Sequence, residues 1–322
     1  MIKRIGGVNV FLLAAGLGTR LKPLTNTIPK PCIPFLNVPM GLYHFRYLNQ
    51  LTISSFIVNT FHLPKQIENL YLQQPYYKGN IQFSHEVDKI YGSGGGLKKA
   101  SSLMSPKQDI LMMNADEIFF TPFTDYLKKA HQYHMDHNCF STLVVMKHPE
   151  AGRQFGAIWT NDQQVIGIGK KRPDHANEKT EAWHYIGAMF LSYEALSLIP
   201  DNIETNIFYD ILIHHLNTKN VQIFPIEAEW YETGNPHDYW QATQCVLSGM
   251  NSGLHDFINQ YDPSLVIRNS KTNSLISKSI NIDLNQLNAT NIVSKSAQSI
   301  PTGDLSNTVL FNEHILNQSY FS

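Results

Sequence analysis

The stretch from Leu13 to Pro34, LAAGLGTRLKPLTNTIPKPCIP, carries the residue types and spacing best suited to chemistry. It follows an apolar run, VNVFLLAA, that reads as a buried strand. Gly16 and Gly18 come next, then a hydroxyl at Thr19 and two separated cations, Arg20 and Lys30. Glycines at a strand end let backbone N–H groups approach a phosphate chain closely. Fixed cations then neutralise the remaining phosphate charge. Leu13, Ala14, Ala15, Gly16, Gly18, Thr19 and Arg20 thus form a candidate nucleotide-binding loop at the carboxyl end of a parallel strand. Three phosphate-loop patterns compete. The dinucleotide fingerprint needs a third glycine where Leu21 stands, and the Walker loop needs a Gly-Lys-Ser/Thr triplet that does not follow. What remains is G-x-G-T-R-L-x-P-L-T followed by P-K-P; the plain alternative is an ordinary glycine turn between a strand and a helix.

Two further strings supply groups for such a ligand. Asn114-Ala115-Asp116 lies in the apolar run DILMMNADEIFF, so the carboxylate emerges at the edge of the sheet. There it is a hard oxygen ligand suited to Mg²⁺ carrying phosphates; a helix N-cap or a solvated loop acid is the alternative. Glu86 precedes GSGGGLKKA (92–100), whose successive glycines, Gly94 and Gly95 among them, open a helix with little steric bulk. A flat nucleobase and ribose could lie on that surface, or it is a plain glycine-rich helix entry.

The elements that must position these groups alternate from residue 8 to about 150. Strand-like 53–61, 80–86, 109–120 and 140–147 are separated by helix-like 63–74, 94–104 and 123–134. This predicts an α/β fold with a doubly wound sheet. From about 150 to 245, FGAIWTND and QVIGIGKK read as antiparallel neighbours, 184–192 as a strand, 207–217 as a helix, 221–234 as a strand, and 236–250 as a helix opened by Pro236. After about Gly253 the chain turns rich in Ser, Asn and Thr, with short apolar alternations over 264–308.

The 322 residues suffice for one large domain plus an appendage. With 25 basic and 26 acidic residues there is no positive excess to suggest nucleic acid, so any triphosphate site is only locally positive. Cys32, Cys139 and Cys245 match no metal spacing and fit a reducing, cytoplasmic setting. The N-terminus imitates a secretory signal, but cleavage there would destroy the glycine loop, and no later run is long enough to span a bilayer.

The full string from Gly16 through Pro-Lys-Pro resembles the signature of the sugar-1-phosphate nucleotidylyltransferases, with residues 53–100 most like their guanylyl and uridylyl branches, the mannose-1-phosphate and N-acetylmuramate-1-phosphate enzymes. The resemblance runs in order over residues 8–245. It implies a Rossmann-like nucleotidyltransferase domain over 1–250, with a mixed sheet. Residues 251–322 are then an appendage resembling a truncated left-handed β-helix, or a poorly ordered tail, and a candidate surface for a second copy of the chain. It implies the reaction NTP + sugar 1-phosphate → NDP-sugar + pyrophosphate, with GTP or UTP and a sugar 1-phosphate as partners and Mg²⁺ as cofactor. Arg20, Lys30 and Asp116 are then the catalytic set, and Asp116 and Glu232 (in WYETGNP) the metal ligands. Asn114, Gly156, Lys171, Gly187 and Asn206 match the sugar side, whereas Asn59 matches a family string that supports the sheet. Four departures stand out. Ala115 and Glu232 replace a glycine and an aspartate, Tyr91-Gly92-Ser93 replaces Leu-Gly-Thr, and KKRP (170–173) replaces Glu-Lys-Pro. Ala115, Glu232 and the KKRP string leave open a second reading, a sugar-nucleotide-binding relative without turnover.

Overall fold

The run VNVFLL forms β1 (Val8–Leu13), and its neighbours follow in chain order. The structure is a computed structural model describing residues 6–250, 252–261, 263, 266–269, 274–277, 292–293, 297, 308–311 and 314–316. After β1 come a small hairpin, β2 (Pro34–Phe35) and β3 (Val38–Pro39), and the single helical turn α1 (Phe45–Leu48). Then β4 (Ile53–Thr60), α2 (Pro64–Gln73), β5 (Gln82–His85), α3 (Gly92–Ala100) and β6 (Asp109–Asn114) alternate. β7 (Ile118–Phe120), α4 (Tyr126–Asp136) and β8 (Ser141–Met146) lead to a hairpin, β9 (Ala157–Asn161) and β10 (Gln164–Gly169), and to the long β11 (Thr180–Leu191). The turn α5 (Ala195–Leu198), a π-helical stretch Ile207–Leu212 continuing as α6 (Ile213–His215), β12 (Val221–Pro225), β13 (Glu229–Tyr231), α7 (Pro236–Ser248) and α8 (Ser252–Tyr261) complete the main body.

Nine strands make one mixed sheet in the order β5-β4-β1-β6-β11-β8-β12-β10-β9. β5, β4, β1 and β6 run parallel, β11 is antiparallel to β6 and β8, and β12 is parallel to β8. Helices cover both faces, which is why the central strands read as continuous apolar runs rather than alternating ones. On one face Leu97 and Ala100 of α3 pack with Ile207, Ile211 and Leu212 of the π-helical stretch. On the other, Ile67 and Tyr71 of α2 share a core with Tyr126 and Ala130 of α4 and Tyr239 of α7. The exception inside β1 is Asn9, fully buried; its amide donates to the carbonyls of Ser105 and Gln108 at 3.0 and 3.3 Å and accepts from Ser55 Oγ at 2.7 Å. A buried amide with its partners in place is tolerated and specifies register.

Three predicted elements differ in ways that matter for the site. The apolar run 109–120 is two strands, because the chain turns at Ala115–Asp116 and β7 leaves the main sheet. The run 221–234 likewise splits into β12 and β13, and β13 pairs with β7 instead: Tyr231 opposes Ile118, Trp230 opposes Phe119 and Glu229 opposes Phe120. The glycine-rich helix begins at Gly92, two residues before the expected start, and ends in a 3-10 turn at Ser101–Leu103.

In the C-terminal segment the described strands form a separate five-stranded sheet. Leu275, Ile292 and Val309, evenly spaced along the chain, are parallel partners in successive strands, as in a coil that stacks on itself. The residues that would decide a left-handed β-helix lie outside those described. Phe311 meets the Tyr239 ring of α7 edge-on at 6.2 Å, so this segment packs on the main body. Among the described residues no helix is long and apolar enough to cross a membrane.

β11 is the seam between the all-parallel half of the sheet and its mixed half, and Phe190 within it is fully buried, stacked on His131 at 5.1 Å. Phe190→Ala should cost about 3–5 kcal/mol, the range for an aromatic removed from a packed core. Urea unfolding with an unchanged m-value reads this directly; a loss below about 1 kcal/mol would contradict the packing described.

Candidate active site

The glycine loop is held from below by one carboxamide. Asn59, at the end of β4, accepts from Ala14 N at 2.7 Å and Ala15 N at 3.3 Å, and its Nδ2 donates to Glu86 Oε1 at 2.7 Å. The other Glu86 oxygen accepts from Tyr91 N at 2.7 Å, which ties the loop to the start of α3. Gly18 is left-handed (φ 60°), and a Cβ there would stand 2.8 Å from Thr25 Cγ2, so only glycine fits. Thr25 in turn donates to the Gly18 carbonyl at 2.9 Å. Beside Gly16 a Cβ would meet nothing within 4 Å, which leaves open space over the loop.

The charged groups converge over that space. Lys30 Nζ bonds Asp116 Oδ2 at 2.8 Å. Burial works against the Lys30 ammonium, but the carboxylates of Asp116, Glu117 and Glu232 overcome it and hold its pKa above the ordinary lysine value. Burial likewise opposes the Asp116 carboxylate, and Lys30 with help from His44 holds it below the usual range. The β7–β13 pairing brings Glu232 to the same place: Thr233 Oγ1 reaches the Asp116 carbonyl at 3.5 Å, and Glu232 Oε1 accepts from Gly234 N at 2.6 Å. The Arg20 guanidinium lies against Gly234 on the same side as Glu232, with Cζ 2.9 Å from where a Cβ would stand. Residues far apart in sequence thus form one alternating cluster of cations and acids.

Two cavities flank this cluster. One, of about 230 Å³, is floored by Leu13 to Gly16 and walled by Lys30, Asn59, Gly92, Ser93, Asn114 and Asp116. The other, of about 370 Å³, is bounded by Glu232, Trp230, Phe155, His148 and one side of α7. Trp230 packs there against His184, with ring centres 4.3 Å apart, and edge-on to Phe155 at 5.3 Å.

Leu13, Ala14, Ala15, Gly16, Gly18, Lys30, Asn114 and Asp116 all line the first cavity, while Thr19 and Arg20 are exposed beside it. Other candidates are placed differently. Glu86 is buried with both oxygens engaged, so it braces the loop rather than meeting a base. Gly94 and Gly95 turn their amides to the Thr205 carbonyl at 2.8 and 3.2 Å and pack against residues 203–205; Gly92 and Ser93 line the cavity in their stead. Asn206 caps the π-helical stretch, accepting from Phe208 N and Tyr209 N at 2.9 and 3.1 Å. Lys171 stands in solvent, paired with Asp174 at 2.8 Å and lining neither cavity. Gly156 is exposed next to Phe155, and Gly187 (φ 79°) packs against Glu117, where a Cβ would overlap Glu117 Cγ.

Sequence reasoning passed over His44, Trp230 and Glu117, and placed Asn59 only in the sheet. Glu117 Oε1 accepts from Asn114 Nδ2 at 3.1 Å and Oε2 from Trp230 Nε1 at 2.8 Å. Burial and the adjacent Asp116 push its pKa up against those two donors. Its place directly after Asp116 was the available signal. Among the described residues no three His, Cys, Asp or Glu side chains cluster as a metal site. Any ion here would rely on Asp116 and Glu232 plus oxygens of a ligand.

Comparison with known proteins speaks to the family and the fold. The nucleotidyl transferase family model matches residues 9–249. The chain belongs to that family. It is 29% identical over 253 residues to the UTP–glucose-1-phosphate uridylyltransferase of Synechocystis, covering 75% of this chain and 64% of that protein. It is 27% identical over 246 residues to mannose-1-phosphate guanyltransferase 2 of Candida glabrata, covering 75% and 65%. The chain therefore spans just under two thirds of the length of either relative. Among solved structures, the UTP-bound UGPase of Acinetobacter baumannii superposes with a TM-score of 0.65 at 17% identity, over 78% of this chain and 97% of that one. HddC of Yersinia pseudotuberculosis does so with a TM-score of 0.59 at 21% identity, over 74% and 98%. At these identities the structural likeness speaks to the fold: the mixed α/β sheet is that of the nucleotidyltransferases.

Two histidines beside the site link it to pH. Burial presses His44 and His184 down to about 4, His44 in spite of the nearby Asp116 carboxylate. Between the ordinary value of 6.5 and about 4 the unfolded chain binds protons that the folded one refuses. Stability must therefore fall as pH drops through that window, by about 1.4 kcal/mol per pH unit for each fully shifted histidine. Denaturant titrations at pH 7, 6 and 5 should show the fall, and His184→Phe should flatten it; an unchanged slope in that variant would contradict the assignment.

Proposed function

We propose that the protein is a sugar-1-phosphate nucleotidylyltransferase, joining a nucleoside triphosphate to a sugar 1-phosphate with release of pyrophosphate. The observation that carries this reading is the Lys30–Asp116 pair beside Glu232, set over a glycine loop whose amides and open space suit a triphosphate. The nucleophile is a phosphate oxygen, already ionised near neutral pH, so no general base is needed. The obstacles are repulsion between two anions and the charge that develops on the leaving pyrophosphate. Positioning and preorganised charge meet both.

In this reading the triphosphate lies on the loop in the first cavity, with Arg20 at its β and γ phosphates. Lys30 exchanges part of its bond to Asp116 for the α-phosphate or the incoming sugar phosphate. The sugar occupies the aromatic-walled second cavity across the acids. Asp116 and Glu232 are hard oxygen donors that both stand beside Lys30, and they would hold Mg²⁺ together with oxygens of the phosphate chain. When bound, that ion supplies positive charge to the phosphate oxygens. The longer Glu232 is compatible with this role because its carboxylate is held back by Gly234 N. The uridylyl and guanyl relatives favour UTP or GTP as the nucleotide.

Pyrophosphate release should be measured with an array of nucleoside triphosphates and sugar 1-phosphates in Mg²⁺. One pair is expected to turn over; silence from every pair contradicts the reading. With that pair, Asp116→Asn should slow turnover by at least about 10²-fold, the loss seen when one preorganised charge stabiliser is removed. Lys30→Ala should do similar damage and raise the KM for the sugar 1-phosphate; a change confined to the triphosphate KM would remove Lys30 from the sugar side.

A further inference from the structure

Glu117 is the one acid of the cluster that the proposed phosphate chemistry leaves idle. It sits in the turn between β6 and β7, with its stem against Gly187, a left-handed position where any side chain would collide with it. Each of its oxygens serves a different cavity. Oε1 accepts from Asn114, which lines the first, and Oε2 accepts from Trp230, which walls the second. A carboxamide has one donating and one accepting end, whereas an ionised carboxylate only accepts. The end of Asn114 that meets Glu117 is therefore the NH₂, and the end left for a ligand is the carbonyl oxygen. Replacing Glu117 by a residue that can donate would let that amide turn over.

We propose that Glu117 is a positioning residue: it presents the Asn114 carbonyl oxygen as an acceptor for a hydroxyl of the substrate, ribose or sugar, and pins the Trp230 indole as the wall of the adjoining cavity. The inference rests on the nucleotidylyltransferase reading and adds to it the polarity of one recognition contact. It selects a ligand that offers a hydroxyl at Asn114 and disfavours one that offers only an acceptor, such as a carbonyl or carboxylate. In such a ligand two acceptor oxygens would face each other.

The test uses the full chain, with UDP-glucose and GDP-mannose as the binding probes in calorimetry, and steady-state kinetics beside it. In Glu117→Gln one amide end still accepts while the other donates. If the new carboxamide oxygen keeps Trp230, its NH₂ turns Asn114 around and offers the ligand a donor in place of an acceptor. Binding of the probe that wild type prefers should weaken by at least about tenfold, as when a buried polar contact is mismatched. Asn114→Asp alone should also weaken it, because two carboxylates would then face each other. The double variant, Asn114→Asp with Glu117→Gln, should recover much of the loss. There the carboxylate introduced at position 114 accepts with one oxygen from the amide introduced at position 117 and offers the ligand the other. Such recovery is a coupling that a merely structural role would not give. Melting temperatures identify any variant that binds poorly only because it is unfolded, and the double variant provides a second, independent reading. Wild-type-like binding by Glu117→Gln, or a double variant as weak as the two single losses combined, overturns the inference and leaves the proposed function standing. A wild-type protein that binds neither probe and releases no pyrophosphate overturns both.

Discussion

Two strands of three residues fix where the charges of the cleft stand. β7 and β13 leave the main sheet and pair with each other, with Ile118 opposite Tyr231. Extending that register by one or two residues sets Asp116 and Glu117 beside Glu232 and Thr233. A slip of one residue would turn alternate side chains to the other face and carry Trp230 away from Glu117. Three acids held this closely repel one another. The cluster is tolerable because Lys30 bonds Asp116, Arg20 lies beside Gly234, and two neutral donors take the oxygens of Glu117. The acids outnumber Lys30 and Arg20 here, so a phosphate chain entering the cleft without a cation would meet net repulsion.

The floor of the cleft is prepared in the same spirit. Asn59 gathers two successive loop amides, Glu86 fixes Asn59, and Tyr91 N fixes Glu86. Three of the four links are 2.7 Å long and three of the four are buried, so the ordering of the loop is largely completed on folding rather than on binding. That is where preorganised sites gain over flexible ones. Gly18 and Gly187, both left-handed, are among the places where the backbone comes too close to a neighbour to bear a side chain.

Much of this was legible in the sequence. The apolar run before Gly16 specified a buried parallel strand, and the loop, Lys30 and Asp116 followed from residue type and spacing. What escaped depended on contacts between distant segments. The glycines of α3 look alike in the sequence, yet only Gly92 lines the cavity, whereas Gly94 and Gly95 spend their amides on the Thr205 carbonyl. Glu86 and Asn206 are polar residues in a site-like context whose hydrogen-bonding capacity is spent on backbone and side-chain partners, a fate that no local pattern reveals. Lys171 sits in a string that departs from the expected Glu-Lys-Pro, and its cation pairs with Asp174 in solvent. The apolar runs across 115–117 and 226–228 look like single strands, because periodicity carries no sign of a strand that changes sheets.

The account depends on Asp116 and Glu232 acting on one triphosphate-bound ion. A double-mutant cycle tests that most directly: the Mg²⁺-dependent affinity for the triphosphate, measured in wild type, Asp116→Asn, Glu232→Gln and the double variant. The account predicts strong coupling, with the second substitution costing little once the first has removed the shared ion, a non-additivity of at least about 1 kcal/mol. Losses that simply add, or an affinity indifferent to Mg²⁺ throughout, would contradict it.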